Sequence, residues 1–407
     1  MAAAAPISPA TGDLAEREAQ LYMRTFVRIP VALARGEGVR VWDVEDNEYL
    51  DFFGGIAVNV LGHCHPAVVD AVTEQAKTLI HTTCLYYTEP QLELGQLLVE
   101  NSCLDRVFYV NSGAEATETA IKLARKWGKS HRDGAYRIIT AEGSFHGRTF
   151  GALAATGQPH YHHDFAPLPA GFSHVPFNDL DALKSAVNDE TVAIMLEPVM
   201  GEAGVYPATA EYLQGARQLC DDRGILLILD EIQSGMGRSG RLWAYETYGV
   251  EPDVMPLAKG LAGGMPIGVC LATEAAAAFE PGDHGSTFGG NLVACAAGVA
   301  TLRTIIEEDI PANVRRVGDV LGERLAALSE ETGAIEEIRQ SGLLVGIELH
   351  QPVAGDVLTK CMERGLLVNK TSDTTVRLAP PLIISEEHVD QACAVLGTAI
   401  KAATAAD

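Results

Sequence analysis

The stretch Ile225-Leu226-Leu227-Ile228-Leu229-Asp230-Glu231 decides the fold, because five consecutive apolar residues end abruptly in two carboxylates. A strand that is apolar on both faces is typical of a parallel sheet covered by helices. A sheet with one face in water alternates apolar and polar residues instead. The stretch therefore predicts a buried parallel strand with charged residues at its carboxyl end.

Similar apolar runs occur elsewhere in the chain, and segments of helical character separate them. The runs are Val107–Val110, Ile138–Thr140, Val192–Leu196 and Val254–Leu257. Short apolar runs that alternate with helices are typical of an α/β domain. We therefore predict a largely parallel sheet with helices on both of its faces.

The pattern changes after about residue 305, where an amphipathic helix is followed by strands such as Leu343–Leu349 and by a helix after Glu386. With 407 residues the chain is long enough for more than one core. We expect a disordered stretch (1–15), an N-terminal segment that packs with the small domain (16–62), a large domain (63–305) and a small α+β domain (306–407).

The composition restricts the class of partner and the compartment. A formal net charge of −24 argues against nucleic acid, whose phosphates the chain would repel. The eight cysteines are scattered and form no CxxC pair, which is typical of reduced thiols in the cytoplasm. No apolar run approaches the length of a membrane span, and the N-terminus lacks the basic region of a signal peptide. We expect a cytoplasmic protein without a nucleic-acid or membrane partner.

The residues that follow the apolar runs are the candidates for a site, since ligands of open α/β sheets bind at the carboxyl ends of the strands. Asn111–Ala116 follows one run and begins a helix, whose free N–H groups and dipole favour a phosphate. Taken alone, this turn is more often an ordinary N-cap.

Two more strand ends carry reactive groups. Asp230 could pair with a protonated ring nitrogen, although a carboxylate here more often caps a turn. Lys259 lies in the glycine-rich segment Ala258–Gly264 and could capture an aldehyde, although a single lysine is usually a solvated surface residue. Together, a phosphate cradle, a ring-nitrogen carboxylate and an aldehyde-capturing amine meet the needs of one cofactor, pyridoxal phosphate.

Nearly the whole chain, from about Leu21 to the C-terminal helix, resembles the class III (ω-amino) aminotransferases of the fold type I pyridoxal-phosphate enzymes. The motifs that carry the resemblance are NSGAEA (111–116), SFHGRT (144–149), LDEIQSGMGRSG (229–240), LAKGLAGGMPIG (257–268), HGSTFGGN (284–291) and RLAPPL (377–382). The resemblance implies a mostly parallel sheet of the seven-stranded type, sandwiched by helices, and a smaller α+β domain formed by the C-terminus and the N-terminal segment.

The resemblance also implies a set of cofactor-binding residues. These are Ser112, Gly113, Ala114, Phe145, Asp230, Glu231, Ile232, Gln233, Lys259 and Thr287. Among them the first three would hold the phosphate, Phe145 would stack on the ring and Gln233 would reach its hydroxyl. Asp230 and Lys259 would be catalytic, the former at the pyridine nitrogen and the latter as the Schiff-base residue and proton carrier. Thr287 would reach the phosphate of the neighbouring subunit, which implies a homodimer with shared active sites.

Four further residues match the substrate positions of the family. Arg148 would bind a carboxylate, for which a planar guanidinium is well suited, and Ser286 would help to bind an acylated substrate. Glu202 would pair with Arg377 while the ω-amino donor is bound. It would then swing away so that Arg377 could take the α-carboxylate of glutamate.

Within the family, the motifs GIAVNVLGHCHP (55–66) and LVNKTSDTTVRLAPPLIIS (367–385) resemble the acetylornithine subgroup. That likeness implies transfer of the δ-amino group of N2-acetylornithine to 2-oxoglutarate in arginine biosynthesis. Ile56 stands where the ornithine δ-aminotransferases carry a tyrosine. The alternatives are a 4-aminobutyrate aminotransferase or other ω-amino acid aminotransferase, an enzyme of a carrier-protein-bound amine, an aminomutase, and a non-catalytic regulatory relative.

A metal site is not predicted. His63-Cys64-His65 contains metal-ligating residue types, but no second ligand pair lies at a suitable spacing. We interpret these residues as a turn that enters the helix at Pro66.

Overall fold

The computed structural model describes residues 8–405, and a seven-stranded sheet lies at its centre. The N-terminal region contains α1 (Pro9–Leu21), β1 (Leu33–Glu37), β2 (Arg40–Asp43), β3 (Glu48–Asp51) and α2 (Gly54–Ala57). The middle of the chain contains α3 (Pro66–Thr78), α4 (Glu89–Glu100), β4 (Arg106–Val110), α5 (Gly113–His131), β5 (Arg137–Ala141), α6 (Phe150–Ala155), β6 (Phe172–Val175), α7 (Leu180–Ala186), β7 (Thr191–Leu196), β8 (Val199–Met200), β9 (Tyr206–Pro207), α8 (Ala210–Arg223), β10 (Leu226–Leu229), α9 (Tyr245–Tyr248), β11 (Val254–Leu257), β12 (Gly268–Ala272) and α10 (Leu292–Glu307). The C-terminal part contains α11 (Ile310–Thr332), β13 (Ile335–Ser341), β14 (Leu344–Leu349), α12 (Ala354–Met362), β15 (Leu366–Leu367), β16 (Asn369–Lys370), β17 (Thr375–Leu378) and α13 (Glu386–Thr404). Short 3₁₀ turns span Pro159–Tyr161, His163–Phe165 and Lys259–Ala262.

The large sheet has the strand order β4-β12-β11-β10-β7-β5-β6. Neighbouring strands are parallel except at β12, which is antiparallel to both β11 and β4. The prediction of a mostly parallel α/β sheet is confirmed.

Helices cover both faces of this sheet, and the strand β10 shows why its residues are all apolar. Leu227 and Leu229 pack in one core with residues of α8, whereas Leu226 and Ile228 pack in another core with residues of α5. Successive side chains of a strand point to opposite faces, so a strand between two helical layers needs apolar residues at every position.

Strand β12 was not among the predicted strands. Its residues Gly268–Ala272 are all buried, and they follow the glycine-rich segment that begins at Lys259. Because β12 is antiparallel to β11, a short connection joins the two strands without a crossover helix. The alternation of strand and helix that predicts the other strands is therefore missing at this point.

The N-terminal and C-terminal parts of the chain meet in a smaller sheet of order β1-β2-β3-β15. Leu50 of β3 pairs in parallel with Leu366 of β15. A second four-stranded sheet, β13-β14-β17-β16, carries Arg377 on β17. The pairing of β3 with β15 supports the grouping of segment 16–62 with the C-terminal domain, whose boundaries stay a prediction.

The prediction of disorder for residues 1–15 is wrong for residues 9–15, which form the first half of α1. Ser8 caps this helix by accepting a hydrogen bond from the Thr11 N–H at 3.2 Å, and Pro9 occupies its first turn. A serine followed by proline is a common start of a helix, and the alanine-rich composition concealed it. Residues 1–7 lie outside the described residues.

Among residues 8–405, no helix is both long enough and apolar enough to span a bilayer.

Candidate active site

A cavity of about 480 Å³ lies at the carboxyl ends of the large-sheet strands. Most of the predicted site residues line it. These are Ser112, Gly113, Ala114, Phe145, Arg148, Glu202, Asp230, Ile232, Gln233 and Lys259. Residues that are far apart in the chain therefore meet in one cleft, as the rule for open α/β sheets predicts.

The N-terminus of α5 forms one wall of this cavity. The Ser112 hydroxyl caps the helix by accepting a hydrogen bond from the Glu115 N–H at 3.2 Å. The N–H groups of Gly113 and Ala114 lie in the first turn, where a helix provides them with no acceptor. A Cβ on Gly113 would approach the Ile232 side chain to 3.1 Å, so glycine lets the helix start close to Ile232. The turn is thus an N-cap, and its two free N–H groups suit an anion.

Asp230 lies at the base of the cavity and is buried. One carboxylate oxygen accepts a hydrogen bond from the Ile232 N–H at 3.0 Å, and the other lies 2.7 Å from Nδ1 of His146. Burial alone would lower the pKa of His146, but the hydrogen bond to Asp230 and the charge of Asp230 raise it. The Asp230 carboxylate therefore stabilises the protonated form of the His146 ring.

Lys259 follows β11 and enters the cavity from a backbone with φ of 36°. Its Nζ lies 3.6 Å from a carboxylate oxygen of Glu202. Burial lowers the pKa of the Lys259 ammonium and Arg377 lowers it further, although the charge of Glu202 opposes the shift. A lysine with a lowered pKa is more readily the neutral amine that attacks an aldehyde.

Glu202 and Arg377 form an ion pair beside Lys259. The Arg377 guanidinium donates to Glu202 at 2.7 Å and to the Gly201 carbonyl at 3.0 Å, while the Gln233 amide donates to Glu202 at 2.8 Å. Burial would raise the pKa of Glu202, but Arg377 and Lys259 lower it to about 2. Arg377 is buried and does not itself line the cavity. Its Nη1 carries the bond to the negatively charged Glu202, while its Nε has no partner among residues 8–405.

Arg148 is the second guanidinium at the cavity. It is exposed, and it forms neither a hydrogen bond nor an ion pair with any residue between 8 and 405. Its guanidinium lies 3.8 Å from the centre of the Tyr161 ring and 5.5 Å from that of Phe145. The two arginines therefore differ, since one is paired and the other has its donors available.

Besides Arg377, three predicted residues do not line the cavity. Glu231 is buried, and its carboxylate accepts hydrogen bonds from the Ser234 hydroxyl at 2.6 Å and the Tyr245 N–H at 2.7 Å. Its prediction as a cofactor-binding residue is at odds with this geometry, because successive side chains at a strand end point in opposite directions. Ser286 reaches the site only through the Asn111 amide, which donates to its hydroxyl at 3.0 Å. Thr287 is exposed on the same loop.

Two titratable residues of the cavity were missed, namely His146 and Glu197. Glu197 is buried and accepts a hydrogen bond from the Phe145 N–H at 2.8 Å. Burial raises the pKa of Glu197 to about 7, although His146 opposes the shift. Glu197 directly follows the run Val192–Leu196, so inspection of every strand end would have found it. His146 lies inside the SFHGRT motif, but no spacing marks it as a partner of Asp230.

The His63-Cys64-His65 segment has a structural role. His63 lies 2.7 Å from the Asp51 carboxylate, and the Gly38 N–H donates to the His63 carbonyl at 3.0 Å. These contacts join the segment to the N-terminal strands. Between residues 8 and 405, no group of three or more His, Cys, Asp or Glu side chains is arranged to hold a metal ion.

The chain matches the class III aminotransferases over residues 22–400, and it belongs to that family of pyridoxal-phosphate-dependent transaminases. The acetylornithine aminotransferase of Caldanaerobacter subterraneus subsp. tengcongensis is 52% identical over 380 residues, which cover 93% of this chain and 97% of the relative. The ornithine aminotransferase structure from Toxoplasma gondii ME49 has a TM-score of 0.94 at 33% identity and covers 98% of this chain and 96% of its own. The acetylornithine aminotransferase structure from Elizabethkingia anophelis has a TM-score of 0.86 at 35% identity, with 96% and 98% coverage.

The residues of the cavity fit pyridoxal phosphate. The unpaired N–H groups of Gly113 and Ala114 suit a phosphate, and a Cβ at position 113 would crowd the Ile232 side chain beside this cradle. Asp230 supplies a buried carboxylate for a ring N–H, and Lys259 supplies an amine of lowered pKa. The phosphate, the ring nitrogen and the aldehyde of the cofactor thus each have a chemical partner in one cleft.

Proposed function

We propose that the protein transfers the δ-amino group of N2-acetylornithine to 2-oxoglutarate, which yields N-acetylglutamate 5-semialdehyde and glutamate. The observation that carries the proposal is the contrast between the paired Arg377 and the unpaired Arg148 at one cavity. An ω-amino donor places one carboxylate far from its reacting amine, so it needs one available arginine and one that is masked. The names of the relatives at about half identity support acetylornithine as the particular donor.

The cofactor would be held by residues from three strand ends. Ser112, Gly113 and Ala114 would bind its phosphate, and Phe145 would cover one face of its ring. When bound, pyridoxal phosphate supplies an electron sink that lets the proton on the amine-bearing carbon leave. Asp230 would hold a proton at the ring nitrogen, and His146 would keep the Asp230 carboxylate charged and oriented.

Lys259 would anchor the cofactor aldehyde through its Nζ and would then act as the base and acid at the reacting carbon. Its lowered pKa favours the neutral amine that both tasks use. The Glu202 carboxylate lies 3.6 Å from Nζ, within ion-pair distance but without a hydrogen bond to it. Both roles require that no strong acceptor hold Nζ of Lys259. The Glu202 carboxylate meets this requirement because it bonds to Arg377, at 2.7 Å.

Arg148 would act in both half-reactions, and Arg377 would act only in the second. Arg148 would bind the α-carboxylate of acetylornithine and the side-chain carboxylate of glutamate. Arg377 would stay paired with Glu202 in the first half-reaction and would bind the α-carboxylate of glutamate in the second. Ser286 would contact the acetyl group from the loop that the Asn111 amide holds in place.

The protein would act as a homodimer. Three consecutive apolar side chains are exposed, and such a contiguous segment is unusual on a monomer. The exposed fractions are 84% for Leu85, 68% for Tyr86 and 97% for Tyr87. The ring of His81, in the same segment, lies 5.2 Å from that of Phe288, next to the exposed Thr287. A second copy that covers this surface would bring Thr287 to the phosphate of its partner. The eight free thiols support a cytoplasmic location.

The decisive experiment is an amino-donor panel with 2-oxoglutarate as acceptor. We expect the highest kcat/KM for N2-acetylornithine, with stoichiometric glutamate. A higher kcat/KM for 4-aminobutyrate, for free ornithine or for a carrier-protein-bound amine would contradict the proposed donor. Product from an amine without any glutamate would indicate an aminomutase, and a purified protein that fails to bind pyridoxal phosphate would indicate a regulatory relative.

A further inference from the structure

We propose that Tyr161 is a positioning residue that holds the guanidinium of Arg148 ready for the substrate carboxylate. The inference rests on the proposed role of Arg148 and adds a residue to it. Arg148 has no acceptor among residues 8–405, so hydrogen bonds do not fix its side chain. The contact that fixes it is stacking, since its guanidinium lies 3.8 Å from the centre of the Tyr161 ring.

The geometry of the stack leaves the donors of Arg148 available. A guanidinium directs its five N–H groups outward in its own plane, and an aromatic ring contacts the face of that plane. Tyr161 can therefore hold the cation without using any donor that a carboxylate needs. An acidic partner would hold Arg148 more tightly but would compete with the substrate, as Glu202 does at Arg377.

The turn that carries Tyr161 is itself held in place. The Tyr161 N–H donates to the Gln158 carbonyl at 3.0 Å, and the Gln158 amide donates to the Gly143 carbonyl at 3.1 Å. Gly143 begins the loop that carries both Phe145 and Arg148. The ring of His160 lies 3.9 Å from that of Tyr161 on the same turn. The turn is thus tied to the loop whose arginine it supports.

Aromatic character, and not the hydroxyl, is the feature that matters at position 161. The Tyr161 hydroxyl forms no hydrogen bond to any described residue. Phe145 meets the Tyr161 ring edge-on at 77°, with ring centres 6.2 Å apart, so the two rings form a corner around Arg148. We therefore expect phenylalanine to replace Tyr161 and leucine to fail.

The test compares Tyr161→Leu with Tyr161→Phe. Tyr161→Leu should raise KM for acetylornithine and for glutamate roughly three- to thirtyfold, the range of a cation–π contact, with kcat nearly unchanged. The KM values of Tyr161→Phe should stay within about twofold of those of the natural protein. The dissociation constant of glutarate, which carries carboxylates and no amine, should rise in parallel with KM. The rate with butylamine, which has no carboxylate, should be equal in all three proteins.

Two results would overturn the inference. One is an unchanged KM and glutarate affinity in Tyr161→Leu, and the other is an equal loss with butylamine, which would indicate a general structural defect. Arg148→Ala, measured in parallel, separates this inference from the proposed function. If Arg148→Ala weakens glutarate and Tyr161→Leu does not, only the role of Tyr161 fails. If neither variant weakens glutarate, the carboxylate role of Arg148 fails as well. In the Arg148→Ala background, Tyr161→Leu should have no further effect.

Discussion

The backbone of Lys259 has φ of 36°, a left-handed conformation that a residue with a Cβ rarely adopts. Such a conformation costs on the order of 1–3 kcal/mol and persists only where the surroundings impose it. The turn around Lys259 is closed by a hydrogen bond from the Leu261 N–H to the Ala258 carbonyl at 2.9 Å. The strain directs the amine into the cavity, where Glu202 meets it.

Replacement of Lys259 by alanine should abolish multiple turnovers, because the variant has no amine to anchor the cofactor or to move the proton. In the natural protein, reduction with borohydride and digestion should place the cofactor on the peptide that contains Lys259. Mass spectrometry identifies the peptide that carries the cofactor. The control variant for Lys259→Ala is Lys129→Ala, at the exposed end of α5. Cofactor on a peptide with a different lysine would contradict the assignment.

The two arginines should respond differently to mutation. Arg148→Ala should impair both half-reactions by roughly 2–5 kcal/mol, the range for loss of a charged contact in a partly desolvated cleft. Arg377→Ala should impair chiefly the glutamate half-reaction, because Glu202 masks Arg377 while the donor is bound. Single-turnover cofactor spectra with acetylornithine and with glutamate measure the halves separately.

The exposed Arg241 provides the control variant for both substitutions. Glu202→Gln should weaken the mask and so favour α-amino donors over the ω-amino donor. Equal slowing of both halves in Arg377→Ala would show that the cavity is a fixed pocket with two arginines.

At the scale of elements, strand ends account for most of what the sequence predicted. Asp230 follows β10, Lys259 follows β11 and Ser112 follows β4, so one rule of sheet topology brought them together. The same rule applied to β7 would have found Glu197. It could not tell Asp230 from Glu231, since a sequence does not show which way each side chain turns after the last paired residue.

Two features needed three-dimensional information. Strand β12 lacks the helix that marks the other strands, so its place between β11 and β4 was not predictable from alternation. The contact of His146 with Asp230 joins a loop after β5 to the end of β10, and the chain contains no spacing that encodes it. Such pairings depend on strand order, which the apolar runs alone do not give.

Glu231 predicts a pH dependence of stability. Burial raises its pKa in the folded protein to about 7 from an ordinary value of 4.5, so the folded state holds a proton that the unfolded state has lost between these values. The contribution of Glu231 to stability should therefore fall as pH rises from about 4.5 to 7. Glu231→Gln should remove this contribution, which thermal unfolding at a series of pH values measures.

The control for that experiment is Glu74→Gln on the exposed face of α3, which should leave the pH profile unchanged. The Glu231→Gln variant should fold, because the amide oxygen of the new side chain can still accept a hydrogen bond from Ser234 or Tyr245. A profile for Glu231→Gln that matches the natural protein between pH 4.5 and 7 would refute the shift.

At the scale of the whole molecule, the exposed apolar segment Leu85–Tyr87 predicts the effect of disrupting the proposed dimer. Leu85→Asp places a charge on a side chain that is 84% exposed in one subunit, so it should not destabilise the fold. It should shift the protein toward monomer in sedimentation and lower the affinity for pyridoxal phosphate, because Thr287 of each subunit would no longer reach its neighbour.

Val44→Asp is the matched control, since Val44 is 43% exposed on the turn between β2 and β3. It should leave both the assembly and the cofactor affinity unchanged. A monomeric Leu85→Asp that binds the cofactor as tightly as the natural protein would show that each subunit holds a complete site.

The antiparallel strand β12 also constrains the order of events during synthesis. It pairs with β11 on one side and with β4 on the other, so it connects the first strand of the large sheet in chain order to a late one. Until the ribosome has released Gly268–Ala272, β4 and β11 each present an open edge, and the turn at Ser112 has no fixed position relative to Lys259. Open edges invite pairing with other nascent chains. Chaperone protection should matter most in the interval before residue 272 emerges, and the catalytic cleft is among the last parts of the domain to form.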